Sequence, residues 1–151
     1  MKFRQRARYL ALAPWFVVRW LKVWRAWERE DWQRMISLLQ DMVGSGLDTN
    51  GERILLGVAF AREGQLTDAL AYFGRVTRQY LLKAEEPVFF NEYASALYRA
   101  GRAADGADLL RNAPLDRFPE PQRRWATDFV KSFGRIDWPP LQGLKPPRVL
   151  H

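Results

Sequence analysis

The run Gly57-Val-Ala-Phe-Ala-Arg-Glu-Gly-Gln-Leu-Thr-Asp-Ala-Leu-Ala-Tyr-Phe73 decides the fold of this chain. Apolar residues recur at helical spacing on both sides of Gly64, which predicts two amphipathic helices with a break between them. A glycine just past the last helical residue adopts the left-handed conformation without steric cost and ends the helix. Gly64 therefore predicts the turn of a helical hairpin, whereas Gly57, in mid-helix, predicts the close approach of another helix.

The same layout recurs along the chain. At an offset of 37 residues, Ala94 and Gly101 take the places of Gly57 and Gly64. Glu30 precedes Gly64 by 34 residues and lies in a run with comparable apolar spacing. Three helical hairpins in tandem are therefore expected.

Local signals predict where the helices begin and end. Thr49 and Glu52 are spaced as a capping box that opens the third helix. Pro87 suits the first turn of the fifth helix, where its missing N–H costs nothing. Gly44 predicts the end of the second helix, and the run 122–133, with aromatic residues at helical spacing, predicts a capping helix over the last hairpin.

The pattern resembles the tetratricopeptide repeat (TPR) family, whose period is about 34 residues. The second hairpin carries the resemblance best, through Leu56-Gly57, Phe60, Gly64, Ala69 and Phe73. The resemblance implies an all-α fold, namely a TPR-like right-handed helical-hairpin solenoid of three repeats plus a C-terminal capping helix. An unrelated helical bundle is the alternative.

The net charge of +7 is a property of the N-terminus. Residues 1–25 hold seven basic groups and no acidic one, which leaves 17 basic residues against 17 acidic ones in the rest of the chain. We expect a basic N-terminal arm over 1–14, a TPR-like domain with its capping helix over 15–133 and a Pro-rich tail over 134–151.

The apolar run 9–18 is too short for a membrane-spanning helix. Its Arg- and Trp-rich surroundings fit an amphipathic helix at a membrane interface, with contact through Arg4, Arg6, Arg8, Trp15 and Phe16. The alternative is that these aromatic residues pack within the fold or against a partner. Nucleic acid is not expected as a partner, because the rest of the chain is electrically neutral.

The tail sequence Trp138-Pro-Pro-Leu-Gln-Gly-Leu-Lys-Pro-Pro147 excludes a helix. Paired prolines impose polyproline II or turns, which aromatic grooves recognise. The alternative is that Trp138 and Leu141 pack back on the capping helix while the rest frays.

Catalytic patterns are missing from the sequence. The chain has no cysteine, and its single histidine is the terminal His151. None of the four serines, Ser37, Ser45, Ser95 and Ser132, lies in a nucleophile elbow, and no phosphate-binding glycine loop occurs. We therefore expect a noncatalytic protein without a cofactor or a metal.

In the TPR family, the first helix of each hairpin lines a concave groove that takes an extended peptide or a helix. Carried over to the matching positions, the resemblance implies a partner-binding groove made of Trp20, Trp24, Trp27, Val58, Arg62, Asn91, Tyr98 and Arg99. Tryptophan, tyrosine and arginine dominate binding energies at protein interfaces. The expected ligand is an apolar anchor flanked by acidic groups.

These features predict a cytoplasmic adaptor or chaperone-like protein that holds a segment of another protein. Small three-repeat TPR-like chaperones of bacterial secretion systems are similar in size and organisation. One alternative is a peripheral component at the inner face of a membrane, bound to anionic lipid through its basic Trp-rich N-terminus. Another is an inhibitor or immunity protein.

Overall fold

A computed structural model of the chain describes residues 3–44 and 49–148, with the side chains at 14, 15, 17–42 and 49–148. Over these residues the chain is helical and contains no strand, which confirms the all-α prediction. The α-helices are α1 (Phe3–Glu28), α2 (Trp32–Gly44), α3 (Asn50–Arg62), α4 (Leu66–Gly74), α5 (Glu86–Arg99), α6 (Ala103–Arg111) and α7 (Glu120–Ser132). The chain divides into two compact units, Met1–Leu47 and Asp48–His151.

The first unit contains the hairpin of α1 and α2. Glu30 forms its turn in the left-handed conformation, with φ of 52°. The N–H of Asp31 donates to the carbonyl of Ala26 at 2.9 Å, and the N–H of Glu30 donates to Trp27 at 3.1 Å. These two bonds satisfy carbonyls at the end of α1 in the manner of a Schellman motif.

The second unit repeats this turn twice, between α3 and α4 and between α5 and α6. Gly64 and Gly101 both have φ of +80°, which confirms the predicted hairpin turns. In each turn, the residue after the glycine donates its N–H to the carbonyl five residues earlier, at 2.8 Å. The three turns therefore share one geometry, and Glu30 is the member that adopts it without being glycine.

Close helix packing explains the mid-helix glycine. A Cβ added at Gly57 would lie 2.7 Å from Cε1 of Phe73, a fully buried ring on α4. Any side chain at this position would have to displace that ring, so the predicted close approach is confirmed. In the next hairpin, Ala94 takes the position of Gly57 and Leu110 takes the position of Phe73. Ala94 is larger than glycine by a methyl group, and Leu110 is smaller than phenylalanine.

Helices of the second unit pack in sequence order. α3 packs against α4 and α5, and α5 packs against α6 and α7. Thr49 caps α3 by accepting the N–H of Glu52 at 3.5 Å, and Pro87 lies in the first turn of α5, as predicted. α3, α5 and α7 are therefore neighbours in succession, and this arrangement positions the site described below.

The C-terminal part of the second unit differs from prediction at Phe133 and in how much of the tail is packed. Trp125 and Phe129 are buried on α7, but Phe133 follows the helix in the left-handed conformation and is half-exposed. After it, residues 134–148 form no helix, as the prolines predict. Pro146 and Pro147 are buried, so this segment packs on the unit as far as residue 147 instead of fraying after Leu141.

Candidate functional site

Helices α3, α5 and α7 together hold the non-helical segment 136–142 of the tail. Four side chains donate hydrogen bonds to its backbone: Arg62 from the end of α3, Arg99 from the end of α5, and Gln122 and Trp125 from α7. We call these four residues the tail-binding face.

Trp138 is the aromatic residue of the tail that meets this face. The centre of its indole ring lies 3.5 Å from Cζ of Arg99 and 4.6 Å from Cζ of Arg62. A guanidinium group over an aromatic face is attracted by the ring quadrupole, by about 0.5–2 kcal/mol depending on burial. Two such contacts make Trp138 the specific anchor of the segment.

Backbone carbonyls supply the other contacts. The tail-binding face donates to Ile136 from Arg99 at 2.6 Å, to Asp137 from Trp125 at 3.2 Å, to Pro139 from Arg62 at 3.0 Å, and to Pro140 and Gln142 from Gln122 at 3.0 Å each. Because all five acceptors are main-chain atoms, these bonds recognise a backbone whose carbonyls are free of helix and sheet bonds, and not particular side chains. Two of them belong to prolines, which bring no N–H that would need a partner.

A buried ion pair orients Arg62. Its Nε donates to Oε2 of Glu92 at 3.3 Å, and Nη2 is bound to Oε1 of the same carboxylate. The two side chains are 8% and 0% exposed, so the pair is almost fully removed from water. Charges are stable at such depth only when paired and hydrogen-bonded, and here the pairing leaves Nη2 aimed at the carbonyl of Pro139.

Arg99 is held beside this pair by the hydroxyl of Ser95, at 3.3 Å from its Nε. Burial and the positive charge of Arg62 lower the pKa of Arg99 from its ordinary value, while the carboxylates of Glu92 and Asp137 act in the opposite direction. A guanidinium stays charged despite such a shift. The face therefore keeps two positive charges against the one negative charge of Glu92, and it favours electron-rich ligands.

Part of the predicted groove lies at this site. Arg62 and Arg99 are brought together as expected, but they contact the chain's own tail. Asn91 and Val58 are buried, and the side-chain amide of Asn91 donates to the backbone carbonyl of Gln122 at 3.0 Å. Asn91 therefore supports the backbone of α7 beneath the face, and both side chains lie in the interior and not on an exposed surface.

Tyr98, another predicted groove residue, sits where the tail leaves α7. A Cβ added at Gly134 would lie 2.3 Å from Cε2 of Tyr98, so the backbone passes directly over the ring. The ring also packs edge-on against Phe129, with centroids 6.0 Å apart. Tyr98 thus directs the tail towards the arginines.

The three predicted groove tryptophans belong to the first unit. Trp27 is buried and packs edge-on against Trp32, with ring centroids 6.0 Å apart. Trp20 and Trp24 are half-buried and lie 6.2 Å apart, and the indole N–H of Trp24 donates to Glu28 at 3.0 Å. Their role in binding a partner stays a prediction.

Sequence reasoning did not find Gln122, Trp125, Glu92 or Trp138 as members of this site. The bond between Arg62 and the carbonyl of Pro139 joins residues 77 positions apart, which no local pattern reveals. One signal was available: the expected ligand was an apolar anchor beside an acidic group, and the tail carries Asp137-Trp138.

A second candidate surface lies on α1. Val17, Val18 and Leu21 are 53%, 53% and 58% exposed, an uncommon fraction for large apolar side chains at helical spacing. Lys22 and Arg25 beside them are exposed as well. The surface is therefore apolar and basic at once.

The predicted lipid-contact residues also lie on α1. Trp15 is half-buried, and Cζ of Arg19 lies 5.0 Å from the centre of its ring. Arg4, Arg6, Arg8 and Phe16 fall within the helix, but their side chains lie outside the described residues. No helix built from residues 3–44 and 49–148 is both long enough and apolar enough to cross a bilayer.

Within the part of the chain that the structure describes, no three His, Cys, Asp or Glu side chains are grouped so that they could hold a metal ion. No protein-family model, curated protein or solved structure matches this chain.

Proposed function

We propose that this chain is a noncatalytic TPR-like protein-interaction module, a helical-hairpin solenoid that holds an extended segment of a partner protein on its tail-binding face. One observation carries the proposal. The face already binds a non-helical peptide segment, residues 136–142 of its own chain, through five side-chain to backbone hydrogen bonds.

The chemistry of the face suits binding and not catalysis. Arginine, glutamine and tryptophan donate hydrogen bonds and cannot act as nucleophiles at neutral pH. Each net hydrogen bond contributes about 0.5–1.5 kcal/mol, and more when the donor is charged. Such bonds supply affinity for a peptide backbone, and the aromatic anchor supplies the selectivity.

The biological role that follows is that of a cytoplasmic adaptor or chaperone-like protein. An inhibitor or immunity protein would use the same face, because occluding a toxin and carrying a client protein both require the face to bind a segment of another protein. The identity of the captured partner separates these roles.

Affinity capture with the full chain as bait, followed by quantitative mass spectrometry, tests the proposal. We expect Arg99→Ala to reduce recovery of the partner at least tenfold. Arg124→Ala is the control, since Arg124 is 71% exposed and pairs with Glu120 in the neighbouring turn. Equal recovery by the two variants, with both shown to be folded by circular dichroism, would reject this face.

A second candidate function is attachment to an anionic membrane surface through α1. It is favoured by the exposure of Val17, Val18 and Leu21 next to a run of basic residues without an acidic one. Burying an exposed leucine side chain contributes about 1.5–3 kcal/mol, and each basic residue near an anionic surface adds about 1 kcal/mol.

Flotation with vesicles containing phosphatidylglycerol tests this second candidate. Leu21→Glu should lower the bound fraction about tenfold, whereas Gln33→Glu, an equal change of charge at an exposed position of α2, should lower it far less. Raising the salt concentration or deleting residues 1–14 should also weaken binding. Binding that none of these changes affects would contradict the proposal.

A further inference from the structure

We infer that the tail is a displaceable resident ligand of the tail-binding face, and that the partner segment imitates it. The imitating segment is non-helical, carries a large aromatic residue followed by proline, and has an acidic residue next to the aromatic one. This inference rests on the proposed function, because it names the partner and the regulation of the same face.

The way the tail is held permits its release. Within the segment 136–142, Pro139 is the buried residue and Trp138 is half-buried, whereas Ile136 is 81% exposed and contributes its carbonyl. A segment held mainly by polar contacts belongs to the part of a protein that opens without global unfolding. The segment 136–142 can therefore leave the face while α3, α5 and α7 stay packed and Pro146 and Pro147, farther along the tail, stay buried.

The chemistry of the face defines what can replace the tail. Its polar side chains act as donors towards the tail, so an incoming segment must offer carbonyls and should bring few N–H groups. Proline meets that condition, as Pro139 and Pro140 do in the tail. A non-proline residue there would carry an N–H that needs an acceptor of its own, at a cost of about 1–3 kcal/mol if it were buried and stayed unpaired.

The charge of the face defines the anchor. When Trp138 leaves, Arg62 and Arg99 lose a π face and are opposed by the single carboxylate of Glu92. A large aromatic ring restores the cation–π contacts. An acidic neighbour adds a weaker attraction, because the carboxylate of Asp137 is paired in the tail with Arg135 at 2.8 and 2.9 Å. These are the two properties that the tail itself combines.

Competition with a tethered ligand sets a threshold for binding. A short flexible tether holds its ligand at an effective concentration in the millimolar range. The apparent affinity for a partner equals the intrinsic affinity of the free face multiplied by the fraction of molecules whose face is free. A weak or wrong segment is thereby excluded, while a segment that matches the tail and binds additional surface displaces it.

A peptide with the sequence of residues 134–144, labelled with fluorescein, tests the inference by fluorescence anisotropy against the full chain. Two variants release the tail by different routes. Trp138→Ala removes the anchor, and Gly134→Ala places a methyl group against Tyr98 at a backbone φ of +139°. Both should bind the peptide at least tenfold more tightly than wild type. Arg124→Ala, which alters an exposed side chain of α7 that pairs with Glu120, should match wild type.

Peptide specificity provides the next check. A peptide whose tryptophan is replaced by alanine should not bind the Trp138→Ala chain, and adding Arg99→Ala to that chain should abolish binding of the unmodified peptide. Release variants that melt cooperatively but bind no more tightly than wild type would show that the tail is a fixed part of the fold, and would overturn the inference.

A measurement on the wild-type chain decides the question even if both release variants fail to fold. Unlabelled peptide at millimolar concentration should move the amide resonances of Gly143 and Leu144 towards random-coil positions as the tail leaves. The amide resonances of Asp137 and Trp138 should move in the same direction and report release directly, because the carbonyl of Asp137 and the ring of Trp138 contact the face while the tail is bound. Resonances that do not move would overturn the inference.

The two proposals fail separately. Displacement of the tail by the peptide without an Arg99-dependent partner in the capture experiment supports a displaceable tail and contradicts the interaction module. An Arg99-dependent partner without displacement supports the module and contradicts the displaceable tail.

Discussion

The tail-binding face and the exposed surface of α1 both combine basic and large apolar residues, yet only one of them is closed by the chain itself. On the face, Arg62 is 8% exposed and contacts Glu92 and Trp138. On α1, Leu21 remains 58% exposed, and residues 1–25 include no acidic group. Basic and large apolar residues form a closed site where the chain covers them with hydrogen-bond acceptors and an aromatic ring. Where the chain supplies neither, the same types of residue form an exposed surface.

The largest effect should come from breaking the buried pair of the closed region. Arg62→Ala leaves the carboxylate of Glu92 buried without its main partner, at a cost of about 3–5 kcal/mol of unfolding free energy measured by urea denaturation. Arg19→Ala in the first unit is the matched control, because its partner Asp41 is 55% exposed and such pairs contribute about 0–1 kcal/mol. Similar losses in both variants would remove the energetic contrast between the two regions.

A smaller loss should come from adding one methyl group to the core of the second unit. Gly57→Ala places a Cβ against the buried ring of Phe73, and overpacking of this kind costs about 1–3 kcal/mol. Gly74→Ala is the control, since its nearest neighbour, Oη of Tyr93, lies 4.0 Å from the added Cβ. Thermal unfolding that responds alike to both changes would show that tight packing at Gly57 is not needed.

A gain in stability should follow from correcting the turn of the first unit. Glu30 adopts the left-handed conformation that costs a non-glycine residue about 1–2 kcal/mol. Glu30→Gly should therefore raise the unfolding free energy of the α1–α2 hairpin by about 1 kcal/mol. Tryptophan fluorescence during denaturation measures this change. The converse change, Gly64→Ala, should lower stability by a similar amount. Loss of stability in Glu30→Gly would indicate that its carboxylate has a role of its own.

The smallest effect on stability is expected at the open surface. Leu21→Glu should change the free energy of unfolding by less than about 0.5 kcal/mol, because the side chain is more than half exposed. A loss of several kcal/mol would show that this surface is part of a packed interface, and would undo the comparison between a closed and an open region.

Sequence patterns predicted the parts of the fold that depend on neighbours along the chain. The hairpin turns at Gly64 and Gly101 and the cap at Thr49 follow from backbone preferences and from hydrogen bonds within a few residues. The close approach at Gly57 could also be predicted, since a glycine inside a helix weakens it unless packing requires one.

The candidate site could be predicted only in part. Arg62 and Arg99 were identified because the repeat pattern places them on the first helix of each hairpin. Their actual contacts, Glu92 and Trp138, depend on how helices and tail meet in space. No periodicity within the tail indicates which helices it will cross.

The amino-acid sequence by itself determined that the chain is helical, where its helices turn back, and that its excess positive charge lies at the N-terminus, because these properties arise from local backbone energetics and composition. Only the tertiary structure decided that Trp138 rests against Arg62 and Arg99 and that the exposed apolar residues of α1 stay uncovered. Such contacts join residues distant in sequence, and their free energy exists only after the helices have packed.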